Sequence, residues 1–156
     1  MDGMPALFDL LRYGSVAALG IFAGAMLTEG GVLVPYWRGL APAEFLRWYA
    51  ANGDRLLAFF SPVTSVTALV AVAAAAGSFW DGHAGRWWAL AAAVLVLVAV
   101  ASFFVYFERA NASFAAGTIA AEAVPGELAR WSAWHNARTA VSLLALGAGL
   151  LALRQP

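Results

Sequence analysis

The residues of this chain that can carry chemistry gather in a few places, and the densest is Trp131-Ser132-Ala133-Trp134-His135-Asn136-Ala137-Arg138. On a helix, positions i, i+4 and i+7 share a face. Trp131, His135 and Arg138 therefore point the same way, with Trp134 beside them. An imidazole serves as a base or a metal ligand near neutral pH. A guanidinium fixes anionic oxygen, and indoles offer flat apolar surface. Glu108 and Asn111 share a face at i, i+3, and Glu29 closes the first apolar stretch of the chain. An ionisable group inside a membrane usually faces the bundle and has a partner, so these groups are expected to meet in the bundle interior.

These groups must be positioned by membrane helices. The hydrophobic fraction is 63% and the charged fraction 12%, against about 25% charged in a soluble domain. Stretches free of charge run from Tyr13 to Thr28, Leu56 to Trp80, Trp87 to Phe107 and Thr139 to Leu153. About 20 apolar residues cross a hydrocarbon core, so the first and fourth stretches suffice only if Glu29 and Arg138 lie inside the membrane. The reading is a single all-α transmembrane domain over residues 1–156. It is a four-helix up-down-up-down bundle with spans at about 13–35, 56–79, 87–108 and 131–153. The first stretch reads as a span rather than a cleavable signal.

Counting about 1.5 Å per residue, Glu29 and Arg138 both fall about 24 Å from the opposite boundary, at matching depth on one face. His135 lies one turn above Arg138. The same face holds the longer loops. Ala41-Pro42-Ala43-Glu44 resembles a helix start, which predicts a short interfacial helix between spans one and two. It would end at Asn52-Gly53, with Phe45, Trp48 and Tyr49 on one side as a lid. The opposite face has the tight loop Asp81–Arg86 flanked by Trp80, Trp87 and Trp88, as interfacial aromatics should be.

Composition also excludes. Cysteine is absent, which removes disulfides, zinc–thiolate sites, thiolate haem ligation and a cysteine nucleophile. The nine basic residues are all arginine, and net charge is zero, so there is no basic field for nucleic acid. No phosphate-binding glycine loop occurs, and the chain is too short for a transporter built of inverted repeats. A metal, if bound, would take His135, Glu108 and Glu29, with Asp54 as a further donor. The Glu-x-x-His spacing of bundle metal sites is missing, since Ser132 stands three before His135. Bis-histidine haem would need His83, in the loop of the other face. Each group also has a structural reading: Glu29–Arg138 as an ion pair, Trp131 and Trp134 as belt aromatics, Glu108 as an interfacial residue.

Asn111 after the third span, Trp131-x-x-Trp134-His135-x-x-Arg138 opening the fourth, and Gly30–Pro35 closing the first resemble the anthrone oxygenase-like family of small membrane proteins. The likeness runs from about Val16 to Leu153. The resemblance implies oxidation of an anthrone, an apolar polycyclic phenolic substrate, to an anthraquinone with O2. On that reading His135 is the base, Arg138 and Asn111 hold the oxyanion, and Glu29 or Glu108 orients them. Trp131 and Trp134 line the ring site, with Trp48 and Tyr49 over it. No cofactor is demanded, and a metal ion stays open. The partners are then the lipid bilayer, the substrate and O2, and a homo-oligomer is open. The location is a bacterial-type inner or plasma membrane. The arginines of the loaded face (Arg38, Arg47, Arg55, Arg109, Arg130, Arg138) outnumber Arg12, Arg86 and Arg154, but several are site residues, so orientation is undetermined. The rival expectation is a non-enzymatic membrane protein, a structural partner or binding module, whose buried charges are structural.

Overall fold

Proline, glycine and a few side-chain hydrogen bonds set where the helices begin and end. The computed structural model describes residues 3–155. Helix α1 (Gly3–Thr28) passes through a π-helical turn (Glu29–Leu33) into α2 (Val34–Gly39), which has Pro35 in its first turn. Leu40 and Ala41 are extended, and α3 (Pro42–Trp80) starts on Pro42. The Ala41 N–H, an orphan donor of that helix start, is taken by Glu44 Oε2 at 3.3 Å. After the turn at Asp81–Gly85, α4 (Arg86–Ser102) runs through a second π turn (Phe103–Phe107) into α5 (Glu108–Ala115). Gly117, at φ +61°, reverses the chain toward α6 (Val124–Leu153). No strand occurs among the described residues.

Four helical columns, Ala6–Gly39, Pro42–Trp80, Arg86–Ala115 and Ala121–Leu153, are long and apolar enough to cross a membrane. Their outer surface is apolar: Leu10, Ile21, Leu69, Val105 and Leu144 are all exposed. Helix α1 packs on α3 and α6, and α4 packs on the same two. Two cores fill the interior. One is built largely of small residues, Ala71, Ala75, Ala92, Ala93 and Ala145 around Leu19, Phe22 and Val96. Small side chains let helix backbones approach closely. The tightest approach is at Gly85, where a Cβ would come within 2.3 Å of the Ala152 carbonyl oxygen. The second core is aromatic: Trp37, Phe45, Tyr49, Phe107, Phe114 and Trp131 meet, mostly edge to face.

The expected short interfacial helix is not a separate element. Pro42–Trp80 is one helix of 39 residues, and Asn52-Gly53 does not stop it. Asn52 turns its amide back to the Trp48 carbonyl at 2.8 Å, within the helix. At Gly53 the absent Cβ makes room for the Tyr49 ring, whose nearest carbon would lie 3.2 Å from it. The glycine is there for packing and not for a left-handed cap. The other helices also outrun the charge-defined spans. Backbone hydrogen bonding continues wherever neighbours bury the turns, whereas charge marks only where the hydrocarbon ends.

Candidate functional site

The π turn Glu29–Leu33 and the head of α6 bring three polar side chains together deep in the protein. Arg138 Nη2 donates to Glu29 Oε2 at 3.2 Å and lies 3.4 Å from His135 Nδ1. The same Glu29 oxygen is 3.4 Å from Nδ1. On the far side of the ring, His135 Nε2 lies 3.0 Å from the Met26 carbonyl. That carbonyl only accepts, so Nε2 carries the hydrogen and Nδ1 presents its lone pair to Arg138. Thr139 Oγ1 gives its hydrogen to the His135 carbonyl at 2.9 Å and sits 3.3 Å from Nε2. Gly30 is what lets the imidazole in, because a Cβ there would lie 3.1 Å from Nε2.

Aromatic rings complete the setting. Trp131 stacks on His135 at 5.1 Å and 10°. Its indole N–H donates to Asn111 Oδ1 at 2.9 Å, which fixes the Asn111 amide with its N–H groups as the free donors. The Arg138 guanidinium lies over the Phe107 ring, 4.1 Å from its centroid. One donor of this buried group, Nε–H, has no partner among the described residues.

A cavity of about 420 Å³ opens beside this cluster, within the size range of small-molecule sites. Its polar wall carries Glu29, Arg138, Asn111, Glu108 and Asp54, and its apolar wall carries Leu56, Leu57, Phe60, Phe103 and Trp131. Tyr49 also lines it. Of the residues singled out in the sequence, Glu29, Glu108, Asn111, Arg138, Trp131 and Tyr49 therefore meet at one cavity. His135, Trp134 and Trp48 do not line it. His135 is fully buried behind Trp131 with both ring nitrogens engaged. Trp134 is over a third exposed and stacks on Tyr106 at 5.2 Å. Trp48 packs on Tyr36 and Trp37.

The expected metal ligands do not converge. Among the described residues no group of three histidine or carboxylate side chains is placed to hold a metal ion. The reason is the guanidinium: Arg138 is the cation between Glu29 and His135, and the second imidazole nitrogen is spent on Met26. Glu108 lies on the cavity wall instead.

Several lining residues escaped the sequence reading. Gly53, Leu56, Leu57 and Phe60 form a stripe below Tyr49 on α3, visible as an i, i+4 series once α3 is read as continuous. Phe103 lines the cavity from the second π turn, and Phe107, beneath the Arg138 guanidinium, belongs to the same turn. A π turn widens the helix and shifts side chains around it, often at functional sites, and nothing in the residue pattern announces it.

The other end of the bundle offers a contrast in kind. Arg12 donates to Asp81 Oδ2 at 2.8 Å and to Asp9 Oδ1 at 2.7 Å. Partial burial alone would raise the Asp81 carboxyl. The hydrogen bond from Arg12, the His83 backbone N–H and the Arg12 charge outweigh it and hold the group below its usual range. No family model, no curated protein and no solved structure matches this chain.

Proposed function

We propose that the chain is an integral membrane protein of a bacterial-type inner or plasma membrane whose helices cross up-down-up-down. In this reading the cavity beside Arg138 oxidises an apolar polycyclic phenol of the anthrone type with O2. The observation that carries it is the cavity wall itself. A buried guanidinium, three carboxyl side chains and a free amide donor line one wall of a space whose other wall is apolar and aromatic.

The chemistry assigned to these residues is short. The CH2 between the two aryl rings of an anthrone is acidified by the ketone across the central ring. Glu29, which lines the cavity, takes that proton, in place of the more deeply buried His135. The enolate oxygen rests on Arg138 and the Asn111 amide, in a low-dielectric site where such donors count most. The electron-rich carbon adds O2, and the proton returns to give the hydroperoxide. Loss of water leaves the new carbonyl: one CH2 and one O2 become one C=O and one H2O. His135 is a positioning residue here, holding Arg138 through Nδ1. Trp131 is the aromatic wall.

A second reading is favoured by a specific observation: Glu29, Arg138 and His135 largely satisfy one another, as a structural ion pair would. Oxygen uptake by detergent-purified protein with anthrone, wild type beside Arg138→Gln plus Glu29→Gln, separates the two. Uptake that is lost in a folded double variant supports the oxygenase. Absence of uptake in the wild type, or an unchanged rate in the variant, leaves the ion pair as structural glue.

A further inference from the structure

A second cavity, of about 140 Å³, lies between α3 and α4. Leu57, Phe60, Phe103 and Arg138 line both this space and the larger one. The two are therefore adjoining arms around the same guanidinium. The smaller arm sits where both helices are irregular. Pro62 cannot donate a backbone hydrogen bond within α3, and the π turn begins at Phe103.

The lining of this arm is unusual for its depth. Ser61, Thr64 and Ser65 carry three hydroxyls along it. Counting about 1.5 Å per residue back from Trp80, Ser65 lies about 22 Å and Ser61 about 28 Å from that interfacial end, still inside a hydrocarbon core of about 30 Å. Hydroxyls in such surroundings usually bond back to the helix's own carbonyls. Thr28, Thr67, Ser132, Thr139 and Ser142 do so here, each to the residue four before it. Ser61, Thr64 and Ser65 make no such bond among the described residues. Three free hydroxyls around a space that Arg138 also lines would face a polar ligand atom better than lipid.

Resting on the reading of the site given above, we infer that the smaller cavity is a specificity arm of that site, open to the bilayer between α3 and α4, and that it takes a hydroxyl- or carbonyl-bearing extension of the polycyclic substrate. Bare tricyclic rings fill only the larger cavity. The preferred substrate is thus an elongated, oxygenated polycycle that reaches past Arg138 toward Ser65.

The test uses two probes on detergent-purified full-length protein: anthrone itself, and anthrone carrying a short alkyl chain that ends in a hydroxyl. Ser65 is exposed, so Ser65→Phe fills the arm without entering the core. Equilibrium binding is expected to weaken by about tenfold or more for the extended probe, roughly 1.4 kcal/mol, with anthrone changed less than about twofold. Ser61→Ala with Thr64→Ala and Ser65→Ala is expected to erase the preference for a hydroxyl-ended over a methyl-ended chain. Equal effects on both probes, or no effect on either, overturn the inference while leaving the main cavity intact. A wild-type protein that binds anthrone but gains nothing from the hydroxyl does the same. Failure of the wild type to bind either probe overturns the reading of the site, and this inference with it.

Discussion

Arg12 and Arg138 are both withdrawn from solvent and both bonded to carboxylates, yet they stand in different company. Arg12 has two acidic partners, Asp9 and Asp81, and the space beside it measures only about 10 Å³, room for about one water molecule and no ligand. Arg138 has one carboxylate, shares it with an imidazole, keeps an unpartnered N–H and borders about 420 Å³ of cavity. The surroundings differ in the same sense. Around Arg12 the helices are regular and close on alanine and glycine. Around Arg138 two π turns and an aromatic core hold the backbone away from its tightest packing. On the proposed reading, the saturated ion pair is a fastening, whereas the undersatisfied one beside a cavity is a place for a ligand.

That contrast is broken first by removing the cations. Arg138→Gln leaves Glu29 buried and alone, which costs about 3–5 kcal/mol and lowers turnover by about 10²-fold or more. Adding Glu29→Gln recovers much of the thermal stability in detergent but none of the oxygen uptake. Arg12→Gln costs less, about 1.5–3 kcal/mol for its charge-assisted hydrogen bonds, because its acids can still reach water. The folded fraction keeps full activity, as paired thermal unfolding and oxygen-uptake measurements would show.

A smaller effect sharpens the positioning role proposed for His135. Gly30→Ala pushes a methyl against the imidazole and is expected to cost about 1–3 kcal/mol, with lower kcat and little change in KM. Gly20, whose Cβ would meet nothing within 4 Å, is the control. Gly20→Ala should gain about 0.5–1 kcal/mol from helix propensity. The smallest effect is on pH. Asp81 has a depressed carboxyl in the folded protein, so its contribution is present above the ordinary carboxylate pKa and is lost as pH falls through the lower folded value. Unfolding temperatures measured below pH 4 should therefore fall more steeply for wild type than for Asp81→Asn. Parallel curves would show the Arg12 end to be no fastening.

Much of this was legible in the sequence. The charge-free stretches gave four helices, and counting residues placed Glu29 and Arg138 at one depth, where they bond at 3.2 Å. Spacing also put Trp131, His135 and Arg138 on one face of α6. It could not say that Trp131 would close over His135 and shut it off from the cavity, because that depends on Trp37 and Phe107 packing from other helices. Asn52-Gly53 has the composition of a helix end and became a packing site instead, because the Tyr49 ring occupies the space that a side chain at Gly53 would need. The π turns were invisible, since a widened turn is set by contacts between helices and not by a residue type.

The most direct measurement is anthrone-dependent oxygen uptake by two purified double variants compared with wild type, Arg138→Gln plus Glu29→Gln and Arg12→Gln plus Asp81→Asn, each first shown to be folded. The expected result is loss of uptake in the first pair and wild-type rates in the second. Equal rates in all three, or equal losses in both pairs, would contradict the assignment of the Arg138 cavity as the reacting site.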